Sequence, residues 1–357
     1  MNCYIHVPFC ASKCGYCAFY SEAVPAGTLI EAYLDHLEKT VIPERVSTLY
    51  IGGGTPTYLN VRQLERFIGI LREKFTFEAD AELSIEANPE SLTEEKVGLL
   101  RGFFNRISLG IQSFDGQLRR RIGRKCSDEA LEKAIRLIRE ADFLHWNCDL
   151  IYSLPDESRS DWERDLHSAA ETGADHISCY SLTPERSAIL GQTFEVDDER
   201  EVKMYHAAEK ILSQYGIKRY EISNYARDNA RCRHNMNVWR GGILRGYGPG
   251  AADFDGVDRH TEIESVTGWL KGEACSCDHI PAEARLNEIF AVNLRTIDGW
   301  TPDLWQMVPG ADDWEKRQII AAKAASTYPG CLQISASGIK LSADGLLFWN
   351  EIAAELL

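Results

Sequence analysis

The sequence predicts an α/β protein, a partial barrel of six β/α units followed by a smaller α+β domain. Three observations predict it. Six short apolar, β-branched runs recur in the first half of the chain, each followed by a polar or glycine-rich turn. Helical patterns fill most of the gaps, and alternating strands and helices imply a parallel sheet with right-handed crossovers. After about residue 230 that rhythm stops. Six units are two short of a closed eight-stranded barrel, so the barrel is read as open. A doubly wound sheet is the other topology the alternation permits.

In chain order, the strand runs are CYIHV (3–7), TLYIG (48–52), ELSIEA (82–87), RISLGI (106–111), NCDLIY (147–152) and HISCYSL (176–182). Between them, segments 29–41, 61–75, 128–141 and 160–173 carry apolar residues at i, i+3/i+4 spacing, the period of an amphipathic helix. The last two begin with serine caps. Ser127 heads an imperfect capping box, and Ser160 with Glu163 a complete one. The unusual residues collect at the C-terminal ends of the strands: cysteines, GGGTP (52–56), EANP (86–89), Gln112, Asp149 and Pro155. In α/β barrels that edge carries the active site.

Segment 232–256, CRHNMNVWRGGILRGYGPGAADFDG, is rich in glycine, tryptophan and charge and reads as an irregular binding segment. Helices are expected over 283–296 and 313–326, with further helix in WTPDLWQMV (300–308). SGIKLSADG (337–345) resembles a short hairpin, followed by a last helix. The expected division is therefore 1–230 and 231–357.

Composition narrows the function. Of 357 residues, 44% are hydrophobic and 26% charged, an ordinary globular balance. No apolar run approaches the ~20 residues of a membrane span. The segment MNCYIHVPFC lacks the basic start and apolar core of a secretory signal, so a cytoplasmic location is expected. Net charge is −15, and no basic stripe of the kind that follows a phosphate backbone is present, which argues against a nucleic-acid partner. The densest basic run, RRRIGRK (119–125), reads mostly as a solvated helix end.

Cysteine carries the strongest signal. There are 11, and in a chain of this expected location a cluster of them reads as metal ligands rather than disulfides. Cys10, Cys14 and Cys17 have C-x3-C-x2-C spacing. A four-iron cube takes up to four thiolates. Three leave one iron open for a chelating small molecule, as on a catalytic metal with a vacant position. Zinc normally wants a fourth cysteine or histidine. Cys148 and Cys179 lie in strand patterns and read as small core residues. Cys275 and Cys277 form a C-x-C pair that reads as loop.

The flanks of the triad carry a resemblance. YIHVPFC with its two following cysteines is similar to the cluster loop of the radical S-adenosylmethionine (SAM) superfamily, in the version found in the oxygen-independent coproporphyrinogen III oxidase family and its relatives, the HemW-type heme chaperones. YIGGGTPT, SIEANPES, ISLGIQSFD, DLIYSLP, YEISNYA and CRHNMNVW look like further blocks of that family, in order. The resemblance implies a [4Fe-4S] cluster on Cys10, Cys14 and Cys17, and SAM bound by Tyr4, Gly53, Gly54, Thr55, Glu86, Gln112, Arg124 and Asp149. Glycines expose backbone groups to a small polar ligand. Glu86 suits the ammonium of SAM, Arg124 its carboxylate, and Asp149 a ribose hydroxyl. Without the resemblance, Glu86 and Arg124 read equally well as surface ion-pair partners and Asp149 as a helix cap.

Both subfamilies share that site, so the choice between them rests elsewhere. Nine residues precede Cys10, Phe19 stands where the oxidases usually place an extra cysteine, and 234–239 resembles the H-N-x-x-Y-W motif tied to heme in the chaperones. Val238 replaces the motif's tyrosine. The resemblance makes His234 a heme axial ligand and Trp239 a porphyrin contact; the alternative for His234 is a histidine hydrogen-bonded in a polar loop. GYGPGAADF (246–254) resembles the turn that closes over the adenine side of the SAM pocket in the family, with Pro249 and Asp253 departing from it. The favoured function is a heme chaperone without decarboxylase activity, carrying heme as cargo to acceptor proteins, membrane-associated ones among them. The alternatives are a coproporphyrinogen III oxidase and a radical SAM enzyme with another substrate.

Overall fold

A computed structural model describes residues 1–23, 27–183, 190 and 197–357. Its frame is six strands in parallel: β1 (Asn2–Val7), β4 (Glu44–Gly53), β5 (Phe75–Ala87), β6 (Arg106–Gln112), β7 (His145–Tyr152) and β8 (His176–Ser181). A short pair, β2 (Phe9–Cys10) and β3 (Glu22–Ala23), flanks the cysteine loop. Helices Thr28–Thr40, Val61–Lys74, Glu94–Arg101, Asp128–Ala141, Arg159–Glu171 and Asp198–Gln214 follow the six strands in turn. The six strands and four of these helices are those the sequence predicts; Glu94–Arg101 and Asp198–Gln214 are helices beyond those expected from it.

Strand alternation then sorts the side chains. Successive residues of a strand point to opposite faces. In β5, Leu83, Ile85 and Ala87 join the apolar core, while the intervening Glu82, Ser84 and Glu86 form a polar row. In β6, Ile107, Leu109 and Ile111 are core, and Arg106, Ser108 and Gln112 are buried polar residues. In β7 the split is Cys148, Leu150 and Tyr152 against Asn147 and Asp149. One face of the curved sheet is thus covered by helices and the other presents polar groups to the barrel interior.

The sheet does not stop at six strands. Beyond β8 lie β9 (Lys218–Arg219) and β10 (Asn224–Ala226), both antiparallel. On the opposite edge β11 (Leu244–Tyr247) pairs parallel with β1, followed by antiparallel β12 (Ala252–Phe254), β13 (Asp258–Thr261) and β14 (Ser276–His279). Among the described residues the row of 12 strands begins at β14 and ends at β9, an open barrel. Segment 232–256 is therefore a helix, Arg233–Trp239, and two sheet strands rather than irregular chain. The sheet runs without a break past the expected division at 230. A second apolar cluster, built on Phe290, Trp300, Trp305, Ile339 and Ile352, holds the C-terminal helices and the hairpin β15 (Leu332–Ser335) and β16 (Gly338–Leu341). The hairpin turns at 336–337, and Ser342 caps the next helix instead of lying in a strand.

Local differences have local causes. Arg119 is fully buried rather than solvated, because its guanidinium donates to the Ser113 and Cys126 carbonyls and to Asp128. The fourth predicted helix starts earlier, capped by Ser158 with Asp161 in a reciprocal box, and not by Ser160. Ser158→Ala should cost about 1 kcal/mol and Ser160→Ala markedly less. Denaturant unfolding of both variants checks this, and equal losses would return the cap to Ser160. Among the described residues no helix is long and apolar enough to cross a membrane.

Candidate functional site

A cavity of about 530 Å³ opens at the C-terminal ends of the six parallel strands. Cys10, Cys14 and Cys17 line it from the loop after β1. The loop is held by Gly15 N–H donating to the Ile122 carbonyl at 3.0 Å and Cys17 N–H to the Cys14 carbonyl at 3.3 Å. All three thiols are partly exposed, and no other cysteine lines the cavity among the described residues. Burial pushes the Cys10 thiol up, against a hydrogen bond with Thr55 Oγ1 at 3.5 Å. Burial also raises the Cys17 thiol. Thiols must lose their protons to hold a metal. The Arg124 guanidinium donates to Cys14 Sγ at 3.8 Å. Three convergent thiols beside a buried cation fit a cluster held by three protein ligands.

The glycine turn closes the next wall. Gly53 has φ 110°, and a Cβ there would lie 2.6 Å from the His6 ring. A Cβ on Gly54 would come 2.8 Å from the Phe9 carbonyl oxygen, a backbone atom that cannot yield. His6 is fixed by the Tyr4 hydroxyl donating to Nδ1 (3.0 Å) and by Nε2 donating to the Tyr20 carbonyl (2.9 Å). Glu86 sits under the turn and accepts from Tyr50 Oη (3.0 Å) and Gly53 N–H (3.2 Å). Burial, and then the charge of Asp149, push its carboxyl up to about 7. A ligand ammonium would reverse both effects.

Across the cavity, Asp149 accepts from Ser108 Oγ at 2.6 Å and Asn147 Nδ2 at 2.8 Å. Burial raises its carboxyl despite those hydrogen bonds. A carboxylate has about four acceptor sites, so a ligand hydroxyl can still donate to it. Arg124 donates to Asn88 Oδ1 (2.5 Å) and the Gly110 carbonyl (2.6 Å), which aims the guanidinium into the site. Gln112 lines the cavity with φ 71° at an irregularity between Gly110 and Gln112. Strain of this kind in a non-glycine residue persists where the surroundings impose it, often at functional sites.

Ten of the expected site residues therefore converge: the three cysteines, Gly53, Gly54, Thr55, Glu86, Gln112, Arg124 and Asp149. Three do not. Tyr4 stacks behind Tyr50 at 6.3 Å, and Tyr50 lines the wall instead. His234 is 6% exposed and packs against Tyr50, with Nδ1 2.9 Å from Thr48 Oγ1. Its helix begins on Glu82, which accepts from Arg233 N–H (3.1 Å) and His234 N–H (2.9 Å). Burial lowers the imidazole to about 4, so it is neutral. Trp239 lies under the Arg295 guanidinium, 4.6 Å from its ring, outside the cavity. As placed, neither reaches a ligand in the cavity. Tyr50, Asn88, Ser108 and Tyr180 line the cavity without having been singled out as ligands; Asn88 lay within the EANP block. Phe19, 71% exposed, puts an apolar ring at the rim.

A partial parallel barrel with three thiols and a glycine turn at its C-terminal edge defines a radical SAM protein, and residues 4–169 match the model of the Radical SAM superfamily. Over 96% of its length the chain is 37% identical to a heme chaperone HemW of Mycobacterium tuberculosis, covering 93% of that protein. It is 34% identical to a heme chaperone HemW of Escherichia coli K12, over 76% of each chain. The chain belongs to the HemW family. Its fold superposes on the E. coli coproporphyrinogen III oxidase HemN, with a TM-score of 0.86 at 23% identity over 99% of this chain and 89% of that one.

Proposed function

We propose that the chain is a heme chaperone that holds a [4Fe-4S] cluster on Cys10, Cys14 and Cys17, binds SAM in the adjoining cavity, and hands heme to acceptor proteins, membrane-associated ones among them. The observation that carries this is the match to named heme chaperones over 96% of the chain at 37% identity. The oxidase likeness, at 23% identity, concerns the fold. When bound, the cluster supplies an open iron position and a low-potential electron. The chain's own groups bind and orient the ligand: Glu86 takes the ammonium, Arg124 the carboxylate and Asp149 a ribose hydroxyl. Residues 1–230 carry this site in the proposal, and 231–357 complete the chaperone. The protein works in the cytoplasm.

Hemin added to the protein should shift the Soret band at one equivalent. Coproporphyrinogen III with SAM and a low-potential reductant should release no carbon dioxide. Stoichiometric release would establish the oxidase instead. If neither hemin binding nor decarboxylation occurs, another substrate is implied. His234→Ala separates two roles for that residue. Loss of an axial ligand changes the Soret position. A buried hydrogen-bonded imidazole lowers the midpoint and leaves the Soret band alone.

A further inference from the structure

The edge hairpin β13–β14 brings together side chains the SAM site does not use. Its register opposes Asp258 to His279 and His260 to Cys277. Residues two apart on a strand share a face, and directly opposed residues have Cβ atoms about 4.5–5.5 Å apart. D-x-H on one strand and C-x-H on the next therefore make a two-by-two grid of donors on a single face. Cys277 is thus a strand residue facing His260, not part of a loop.

The side chains converge as the register requires. Donor atoms of Asp258, His260 and Cys277 all lie within 4.8 Å of one another. His279 Nδ1 is 2.5 Å from Asp258 Oδ1. Asp255 and Glu262 lie within electrostatic reach of His260 and add negative charge to this face. The nearby arginines are engaged elsewhere, Arg259 with Glu288 and Arg245 with Asp253 and Glu44.

We propose that Asp258, His260 and Cys277 bind one divalent transition metal of the zinc class, with His279 as the fourth donor. Imidazole with thiolate selects zinc-like ions, whereas magnesium and calcium prefer oxygen alone. Tetrahedral zinc with ligand bonds of about 2.0–2.3 Å places its donors roughly 3.4–3.8 Å apart. Closing Asp258, His260 and Cys277 from 4.8 Å requires about 1 Å of side-chain movement, and His279 Nδ1, now 2.5 Å from Asp258 Oδ1, must draw back by about as much; Cys277 and His279 are both exposed on the outermost strand. The bound ion cross-links the last strand of the sheet to its neighbour. Cys275, exposed just before β14, remains a free thiol beside the site.

The test uses protein whose iron cluster is already in place, so that Cys10, Cys14 and Cys17 are occupied. Zinc is titrated against a chromophoric chelator while iron is counted. One zinc per chain should be held with no loss of iron. His260→Ala and Cys277→Ser should each weaken it by roughly a hundredfold or more, beyond what outer-shell partners usually cost. Both residues are away from the apolar core, and unchanged far-ultraviolet dichroism confirms that the variants fold. Cobalt in place of zinc should give the intense visible bands of a four-coordinate thiolate site, absent in Cys277→Ser. Zinc that fails to compete with the chelator overturns the proposal. So does zinc that displaces iron, or that binds His260→Ala and Cys277→Ser as it binds the wild type.

Discussion

Replacing Cys10, Cys14 or Cys17 with alanine should remove essentially all cluster iron from anaerobically reconstituted protein, about four irons per chain in the wild type. The expectation follows from geometry. These three cysteines line the cavity together, and no other described cysteine does. A cube held by three thiolates has no fourth protein ligand in reserve, so each loss is decisive. Cys3→Ala and Cys179→Ala serve as controls. Both thiols are buried in the apolar core, so these variants should unfold somewhat more easily and keep their iron. Iron analysis and the brown colour read the result directly. A Cys179→Ala protein without iron, beside a Cys14→Ala protein that keeps it, would overturn the ligand set.

SAM binding should be pH-dependent through Glu86, and Glu86→Ala should abolish that dependence. The carboxyl is raised to about 7, first by burial and then by Asp149. The raised value means that the unliganded site holds a proton below about pH 7, whereas pairing with an ammonium requires the carboxylate. Binding therefore releases a proton, and affinity rises with pH and levels off above 7. Below 7 it should fall about tenfold per unit, one proton's worth. Glu86→Ala should start about 1.5–3 kcal/mol weaker above pH 7, the range for a hydrogen bond to a charged group, and should show no such slope. Asp149→Ala should weaken binding by a similar amount with iron retained. Calorimetric titration between pH 6 and 8 checks all three. A flat wild-type profile together with unchanged affinity in both variants would remove these carboxylates from the site.

The parallel strands and their helices were legible because burial there is strong and periodic. Ile107, Leu109 and Ile111 alternate with polar residues, and the Asp128–Ala141 helix repeats its apolar stripe without interruption. The strands between 244 and 279 were not legible. Leu244–Tyr247 and Asp258–Thr261 are half-buried throughout and show no alternation. What makes Leu244–Tyr247 a strand is the free edge of β1, far away in sequence, and Asp258–Thr261 follows from it through β12. The helix Arg233–Trp239 starts on Glu82, more than 150 residues earlier, so its cap could not be read locally. The site divides the same way. Glycines, carboxylates and cysteines at strand ends identify themselves by type. The choice between Tyr4 and Tyr50 depends on how neighbouring strands are staggered, and composition does not record that. His234 was placed with heme by motif, whereas the packing against Tyr50 and Thr48 is set by tertiary contacts.

The position of β1 in the sheet also bears on how the protein is made. β1 is synthesised well before one of its two neighbours, β11, which begins only at Leu244. At about 5–20 residues per second, tens of seconds separate the two on the ribosome. Throughout that interval the nascent sheet presents an unpaired parallel edge bearing Cys3, Ile5 and Val7, a template for joining other chains. Strands β11–β14 act as its cover. A chain interrupted before residue 244 would carry the cavity's cysteines, Glu86, Arg124 and Asp149 and would still be prone to aggregate through that edge.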